Sequence, residues 1–179
     1  MISCLLSVDP GKKYSGVAFF RDGVLVAADR PWPGRNSQLP DVELLLGTVA
    51  AVIEWGDQLE PAGYDVAAEW MEMRGRRSPT TYTLPPLWGV GASVAAIAKS
   101  RGFEGQLLPV STWKGPLPKK KHHPMILAAL TPAEVAVVVE ATGQTLEALI
   151  AVQSADASDV VDAVGIGLVA LGRDPRKKA

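Results

Sequence analysis

The chain has 179 residues, of which 47% are hydrophobic and 21% charged, a composition that suits a single globular domain large enough to bury a core. No run of about 20 apolar residues occurs, so we expect no membrane span. The single cysteine, Cys4, cannot form an internal disulfide and favours a reducing location such as the cytoplasm. The net charge of −1 hides an asymmetry, because residues 74–123 hold nine Lys/Arg and one acid. This basic middle segment predicts a face for an anionic polymer.

The first 30 residues predict an antiparallel meander. Apolar runs bounded by turn signals indicate strands at 3–9, 16–20 and 24–27, the last two joined by a hairpin at 21–23. We then expect a helix from Asp41 to about residue 57, a strand at 64–69, a helix at 87–101 and a strand at 106–110. This order predicts an α/β fold with a mixed five-stranded sheet flanked by helices.

The remaining sequence predicts loops and C-terminal helices. Residues 71–83 and 111–124 are basic and rich in turn formers or proline, so we predict two basic loops. Thr131 and Glu134 form a capping-box signature ahead of one or two short helices within 132–152. The last helix is expected to begin at Asp156 or Asp159 and to stop near Gly172. Residues 1–172 then form one domain, and 173–179 a frayed basic tail.

Four carboxylates border or interrupt apolar sequence. Asp9 and Glu69 each end a predicted strand, and Asp159 and Asp162 lie three apart near the start of the last helix. A carboxylate in such a setting is costly unless it is paired or binds a metal. Two strand ends and one helix face can bring all four acids to one place.

This donor set favours a hard divalent cation. Mg²⁺ takes a few carboxylates together with water and substrate oxygens, and a pair of such ions can drive phosphodiester hydrolysis. With two adjacent histidines, His122 and His123, and one cysteine, the chain makes a His/Cys zinc site improbable.

Three stretches of the sequence resemble the RuvC family of Holliday junction resolvases, which have the ribonuclease-H-like fold. They are Ser7-Val-Asp-Pro-Gly11 with Gly16, Ala67-Ala-Glu69, and Asp159-Val-Val-Asp-Ala163. The resemblance implies a homodimeric crossover junction endodeoxyribonuclease that needs Mg²⁺, with Mn²⁺ able to substitute and one or two ions per site. Its substrate would be branched DNA, nicked in two opposed strands during recombination and repair. We expect no small-molecule cofactor, no membrane association and a cytoplasmic location, either associated with the nucleoid or in a phage-infected cell.

The resemblance also implies roles for individual residues. Asp9, Glu69, Asp159 and Asp162 would be catalytic metal ligands, and Lys114 or Lys119 would meet the scissile phosphate. The residues expected to bind DNA share positive charge or an aromatic ring and are Arg74, Arg76, Arg77, Lys114, Lys119, Lys120, Lys121 and Trp70.

Two features leave alternatives open. Asp156 and Asp159 have the same spacing as Asp159 and Asp162; we prefer the second pair because Ala163 and the apolar run follow it, which leaves Asp156 as a helix cap. Family members often carry an aromatic residue three positions after the second acid, where this chain has Glu72. This departure puts the mode of junction opening in question more than cleavage.

Other functions fit parts of the sequence. A different ribonuclease-H-like nuclease, acting on RNA–DNA hybrids or other branched DNA, would use the same acids. A cleavage-inactive nucleic-acid-binding module would not need all four of them. An actin-like or sugar-kinase ATPase domain also begins with an Asp-x-Gly hairpin, but it needs a second, similar domain for which this chain is too short.

Overall fold

The computed structural model describes residues 4–11, 14–31, 41–70 and 84–177. The strands are β1 (Cys4–Asp9), β2 (Gly16–Arg21), β3 (Val24–Asp29), β4 (Asp65–Trp70) and β5 (Gly105–Pro109). The helices are α1 (Asp41–Leu59), α2 (Leu84–Ser100), α3 (Val110–Trp113), α4 (Lys119–Ala128), α5 (Pro132–Thr142), α6 (Leu146–Ile150) and α7 (Ala155–Ala170). Of the helices in the described ranges, none has the length and apolar character needed to cross a membrane.

The five strands form one mixed sheet in the order β3-β2-β1-β4-β5. The pairs β1–β2 and β2–β3 are antiparallel, whereas β1–β4 and β4–β5 are parallel. Asp22 and Gly23 have φ angles of 51° and 79°, the left-handed conformation that a tight hairpin needs between β2 and β3. The predicted α/β class, the five-stranded mixed sheet and its N-terminal meander are therefore confirmed.

Helices cover both faces of the sheet. One apolar cluster joins Leu6, Val8 and Phe19 to α1 and α2, and the other joins Leu5, Ala67 and Phe20 to α7. The small residues of α2 serve this packing, since Val90, Val94, Ala95 and Ala98 are all buried within the chain. The polar Ser7 belongs to the α7 face, where its hydroxyl donates to the carbonyl oxygen of Ala163 at 2.8 Å.

Glycine lets α7 approach the sheet closely. A Cβ atom at Gly16 would lie 2.0 Å from the carbonyl oxygen of Asp159, far inside van der Waals contact. A Cβ atom at Gly167 would meet the ring of Phe20 at 2.2 Å. The backbone of α7 at Asp159 is thus pressed against the start of β2, at the edge of the sheet where β1 ends.

The prediction of a basic loop over 111–124 is wrong. This segment contains α3 and most of α4, and His122 and His123 are buried on α4 together with Ile126 and Leu127. Pro118 precedes the helix in extended conformation and so begins it instead of breaking it. Histidine is a polar residue type, so the sequence pattern did not indicate that His122 and His123 share a buried helix face with Ile126 and Leu127.

Arg173, at the start of the predicted tail, makes contacts with the rest of the chain. Arg173 donates to both carboxylate oxygens of the buried Glu134, at 2.7 and 3.0 Å, and to the carbonyl oxygen of Gly23. Glu134 accepts in addition from the backbone N–H of Leu25 and completes the predicted capping box with Thr131. These bonds tie the hairpin tip, α5 and residue 173 together.

Candidate active site

Asp9 and Glu69 stand at the ends of two adjacent parallel strands. Ser7 and Ala67 pair in the β1–β4 ladder and both face α7. Because residues two apart in a strand point to the same face, Asp9 and Glu69 also face α7. Glu69 is 8% exposed, and Asp9 is partly buried.

Helix α7 brings two further acids to the same edge. Asp159 lies against Gly16, the residue that pairs with Asp9 in the β1–β2 ladder. Asp162 is one turn further along and is 3% exposed. Asp156, the rival for the helical pair, has a side chain that is 70% exposed. The geometry therefore favours Asp159 and Asp162 over Asp156 and Asp159.

The expected capping role of Asp156 is wrong. The helix begins after Ser154, whose hydroxyl accepts from the backbone N–H of Ala157, and Asp156 lies in the first turn. Serine is among the best N-cap residues because its short side chain reaches back to these free N–H groups.

The four acids are close enough to perturb one another. Burial raises the pKa of Asp9 well above its usual value, and the charges of Glu69, Asp162 and Asp159 raise it further. Burial also raises the pKa of Asp159, against the lowering effect of Arg30. The edge of the sheet thus concentrates negative charge in a poorly solvated place, where a cation relieves the repulsion.

Glu69 has a hydrogen-bond donor from the core. Burial and the charge of Asp162 raise its pKa to about 7, while Lys114 and a hydrogen bond from Trp113 oppose that shift. The Nε1–H group of Trp113 donates to Oε2 of Glu69 at 3.1 Å. The ammonium group of Lys114 lies 5.8 Å from the centroid of the same indole ring.

Asp162 is held by two side chains of α4. The ammonium nitrogen of Lys119 lies 2.6 Å from Oδ2, and Nε2 of His123 lies 2.9 Å from Oδ1. Lys119 also donates to the hydroxyl of Ser158 at 2.7 Å. Although burial alone would raise the pKa of Asp162, the hydrogen bond from His123 and the charge of Lys119 outweigh it and lower the pKa.

Asp159 has a cationic partner of its own. Arg30 follows β3 and bridges two acids of α7, with Nη1 2.6 Å from Oδ1 of Asp156 and Nε 3.4 Å from Oδ2 of Asp159. Its guanidinium carbon lies 4.4 Å from the ring centroid of Tyr14, a cation–π arrangement. Arg30 thereby restrains the exposed end of the helical acid pair.

The predicted basic residues fall into three groups. Lys114 and Lys119 lie at the acids, whereas Lys120 and Lys121 are exposed on α4. Trp70 follows Glu69 in β4 and so points to the opposite face of the sheet. Arg74, Arg76 and Arg77, together with Glu72, lie outside the described residues.

Sequence reasoning missed three contacts of the acids, namely those of Arg30, Trp113 and His123. The hairpin register offered a signal for Arg30, because Val17 pairs with Asp29 and residue 30 must then lie near the start of β2. The four-residue spacing of Lys119 and His123 was a signal that the predicted loop concealed. Trp113 gave no signal of its own beyond its place after the fifth strand.

The donor chemistry suits a hard divalent ion. Within the described ranges, no three His, Cys, Asp or Glu side chains already form a cluster able to hold a metal. Two of the four acids are instead paired with cations, Asp162 with Lys119 and Asp159 with Arg30. The charged groups of Lys119 and Arg30 lie at the ends of long side chains, which can rotate away from the acids. Four carboxylates at one edge of a sheet, three of which raise the pKa of Asp9 by their charge, fit Mg²⁺ or Mn²⁺ in ligand type and charge.

Solved structures of RuvC share this fold. The structure titled T. thermophilus RuvC in complex with Holliday junction substrate has a TM-score of 0.60 and 19% identity, covering 94% of this chain and 93% of its own. A second Thermus thermophilus RuvC structure has a TM-score of 0.53 and 16% identity, covering 95% and 97%. No family model and no curated protein matches the sequence. The expected resemblance to RuvC is confirmed at the level of the fold, over nearly the whole length of both chains.

Proposed function

We propose that the protein is a metal-dependent endonuclease that resolves four-way DNA junctions. The observation that carries this proposal is the convergence of Asp9, Glu69, Asp159 and Asp162 at one edge of a RuvC-like sheet, where burial and the charges of the other three acids raise the pKa of Asp9. One of the two similar RuvC structures is titled as a complex with Holliday junction substrate, which supports the choice of substrate.

The four acids would hold Mg²⁺, with Mn²⁺ as a substitute. An ion held by these residues would supply Lewis-acid activation of a water molecule and stabilisation of charge on the leaving oxygen of the phosphodiester. Asp9 and Glu69 supply ligands from rigid strand ends, and the two α7 acids supply ligands from the facing helix. Rigid elements suit such a site because the ligands must keep their geometry during turnover.

Positive groups beside the acids would receive the DNA backbone. Lys119 can move its ammonium group from Asp162 to a phosphate oxygen, since its side chain is 39% exposed. Lys114 is the second candidate for that contact. Further along the DNA we propose backbone contacts from Lys120, Lys121, Arg74, Arg76 and Arg77, and a stacking contact from Trp70. Such contacts position a nuclease without reading sequence.

Paired cleavage requires two copies of the site. A four-way junction presents two equivalent strands, and a two-fold homodimer presents two equivalent sites to them. We therefore propose a homodimer that makes symmetric nicks in recombination or repair in the cytoplasm.

The decisive experiment compares substrates. End-labelled four-way junction, linear duplex and RNA–DNA hybrid are incubated with the full-length protein and Mg²⁺ and resolved on a denaturing gel, with Asp9→Asn as the control. The proposal predicts symmetric nicks in opposed strands of the junction, and a loss of at least about a thousandfold in the variant. Preferential cleavage of the hybrid would reassign the substrate, and binding without cleavage in the presence of Mg²⁺ would indicate a binding module.

A further inference from the structure

One helix holds both oxygens of Asp162. Lys119 and His123 are four residues apart on α4 and so share a face. The ammonium nitrogen of Lys119 lies 2.6 Å from Oδ2 of Asp162, and Nε2 of His123 lies 2.9 Å from Oδ1. An ionised carboxylate only accepts hydrogen bonds, so Nε2 of His123 carries the proton in this contact. Each oxygen of Asp162 keeps a further lone pair for a cation.

The two contacts differ in their freedom to move. The side chain of Lys119 is 39% exposed, whereas that of His123 is 1% exposed. Leu149, Ala157 and Val161, from α6 and α7, line the space beside the imidazole, and that space is too small for an ordered water molecule. Lys119 is therefore free to leave Asp162 for a substrate, while His123 stays where the helices enclose it.

We propose that His123 is a positioning residue, whose Nε2–H group fixes the carboxylate of Asp162 in the orientation that binds the divalent cation. The inference rests on the proposed function and adds a residue that does not itself touch the ion or the DNA. Hydrogen bonds to a ligating carboxylate limit its rotation and so lower the cost of ordering it when the metal binds. Without His123, only the movable Lys119 among these two α4 contacts would restrain Asp162.

The adjacent histidine separates this role from packing. His122 is fully buried beside Trp113, with ring centroids 5.3 Å apart, and neither of its ring nitrogens has a hydrogen-bond partner. His122 and His123 therefore occupy the same helix at the same depth, but only His123 makes a hydrogen bond to an acid of the site. A substitution at His122 controls for the loss of a buried imidazole.

The test compares two amides at position 123. The amide nitrogen of Gln reaches the place of the imidazole Nε2, whereas Asn, one methylene shorter, ends near the place of Nδ1. The variants His123→Gln, His123→Asn and His122→Asn are measured in two ways. Mn²⁺ binding to the full-length protein is followed by titration calorimetry without DNA, and junction cleavage is followed as a function of Mg²⁺ concentration. Thermal melting establishes that each variant folds.

The expected result is specific to the donor. His123→Asn should weaken Mn²⁺ binding and raise the half-saturating Mg²⁺ concentration by about 10- to 100-fold. His123→Gln and His122→Asn should stay within about threefold of the natural protein. If His123→Asn does not fold, His123→Leu takes its place as the variant that fills the space but lacks the donor.

Two outcomes would overturn the inference. One is Mn²⁺ binding that is unchanged in the folded variant without the donor, and the other is an equal loss in His122→Asn, which would indicate packing alone. Failure of the natural protein to cleave a junction would reject the proposed function instead, and the Mn²⁺ titration would still decide the role of His123.

Discussion

Trp113 and Glu69 are 44 residues apart in sequence, and the indole Nε1–H group of the first donates to Oε2 of the second at 3.1 Å. Both side chains are buried, so the bond is shielded from competing water. It aims the carboxylate at the end of β4 and stabilises its ionised form, one of the effects that oppose the rise in the pKa of Glu69.

Removal of this donor should weaken catalysis near neutral pH. Trp113→Phe keeps an aromatic ring but leaves Glu69 without the indole bond, so the pKa of Glu69 should rise further. A hydrogen bond to a charged group is worth about 1.5–3 kcal/mol, so cleavage at pH 7 should fall roughly tenfold and recover at higher pH. Trp55→Phe, in the cluster on the other face of the sheet, is the control. An equal loss in both variants, or no recovery at higher pH, would contradict this role.

Metal binding should depend on pH in the neutral range. The pKa of Glu69 is raised to about 7, so this carboxyl is increasingly protonated below that pH, and a ligand must lose its proton to bind the ion. As the pH falls, the half-saturating Mg²⁺ concentration should therefore rise by roughly tenfold per pH unit for each proton that the ion displaces. Junction cleavage measured as a function of Mg²⁺ concentration, at pH values from about 5.5 to about 8.5, tests this prediction. A flat dependence would show that Glu69 is already ionised throughout.

Asp9 should contribute to function at a cost in stability. Its pKa is raised in the folded protein, so the ionised form disfavours folding and the metal-free protein loses stability as pH rises above the carboxyl's unfolded value. Asp9→Asn should raise the free energy of unfolding without divalent ions by about 1–2 kcal/mol at pH 7. Mg²⁺ should raise the melting temperature of the natural protein more than that of the variant. Lower stability of Asp9→Asn in metal-free buffer would be evidence against repulsion among the acids.

Substitutions of two lysines on α4 should have very different effects on junction cleavage. Lys119 touches Asp162 and Ser158, whereas Lys121 is exposed on the same helix. Lys119→Ala should lower the rate of junction cleavage about a hundredfold, as for loss of a group that stabilises transition-state charge. Lys121→Ala should change only the salt dependence of DNA binding. The slope of the logarithm of the binding constant against the logarithm of the salt concentration should change by about one or less. Single-turnover cleavage and binding at several salt concentrations measure the two effects, and equal rates for both variants would rule out a special role for Lys119.

Glu134 should make the fold sensitive to acid. Burial alone would raise its pKa, but the hydrogen bonds from Arg173, Leu25 and Thr131 lower it to about 2. The resulting stability, roughly 3 kcal/mol, is fully present above the unfolded pKa of about 4.5 and is lost as pH falls towards 2. Glu134→Gln should therefore be less stable than the natural protein at pH 7, by a margin that shrinks in acid.

Urea unfolding at a series of pH values tests this prediction for the ion pair. Glu140→Gln, an exposed position on the same helix, is the control and should have little effect. A loss in Glu134→Gln that does not vary with pH would mean that packing, and not the charge of Glu134, stabilises the C-terminal segment.

The sheet was predictable because its residues obey local rules. Alternating or apolar runs and the Asp22-Gly23 turn determine the meander, and the acids at the ends of β1 and β4 must meet once these strands are parallel neighbours. The capping box at Thr131 was recognised for the same reason, since all of its parts lie within four residues.

The missed features depend on contacts distant in sequence. Residues 119–123 form a helix because His122 and His123 are buried against the core. The polarity of these two side chains alone predicts the opposite. The contacts of Arg173 depend on Glu134, about 40 residues earlier along the chain. Likewise, no local pattern connects Trp113 to Glu69 or Arg30 to Asp159.

We propose that acids from β1, β4 and α7 form one catalytic centre. Single-turnover cleavage of a four-way junction should be measured for Asp9→Asn, Glu69→Gln, Asp159→Asn, Asp162→Asn and Asp156→Asn. We expect the first four variants to lose at least about a thousandfold in rate and Asp156→Asn to stay within about threefold. Full activity in Asp162→Asn, or loss in Asp156→Asn equal to that in Asp9→Asn, would show that these four acids do not form one catalytic centre.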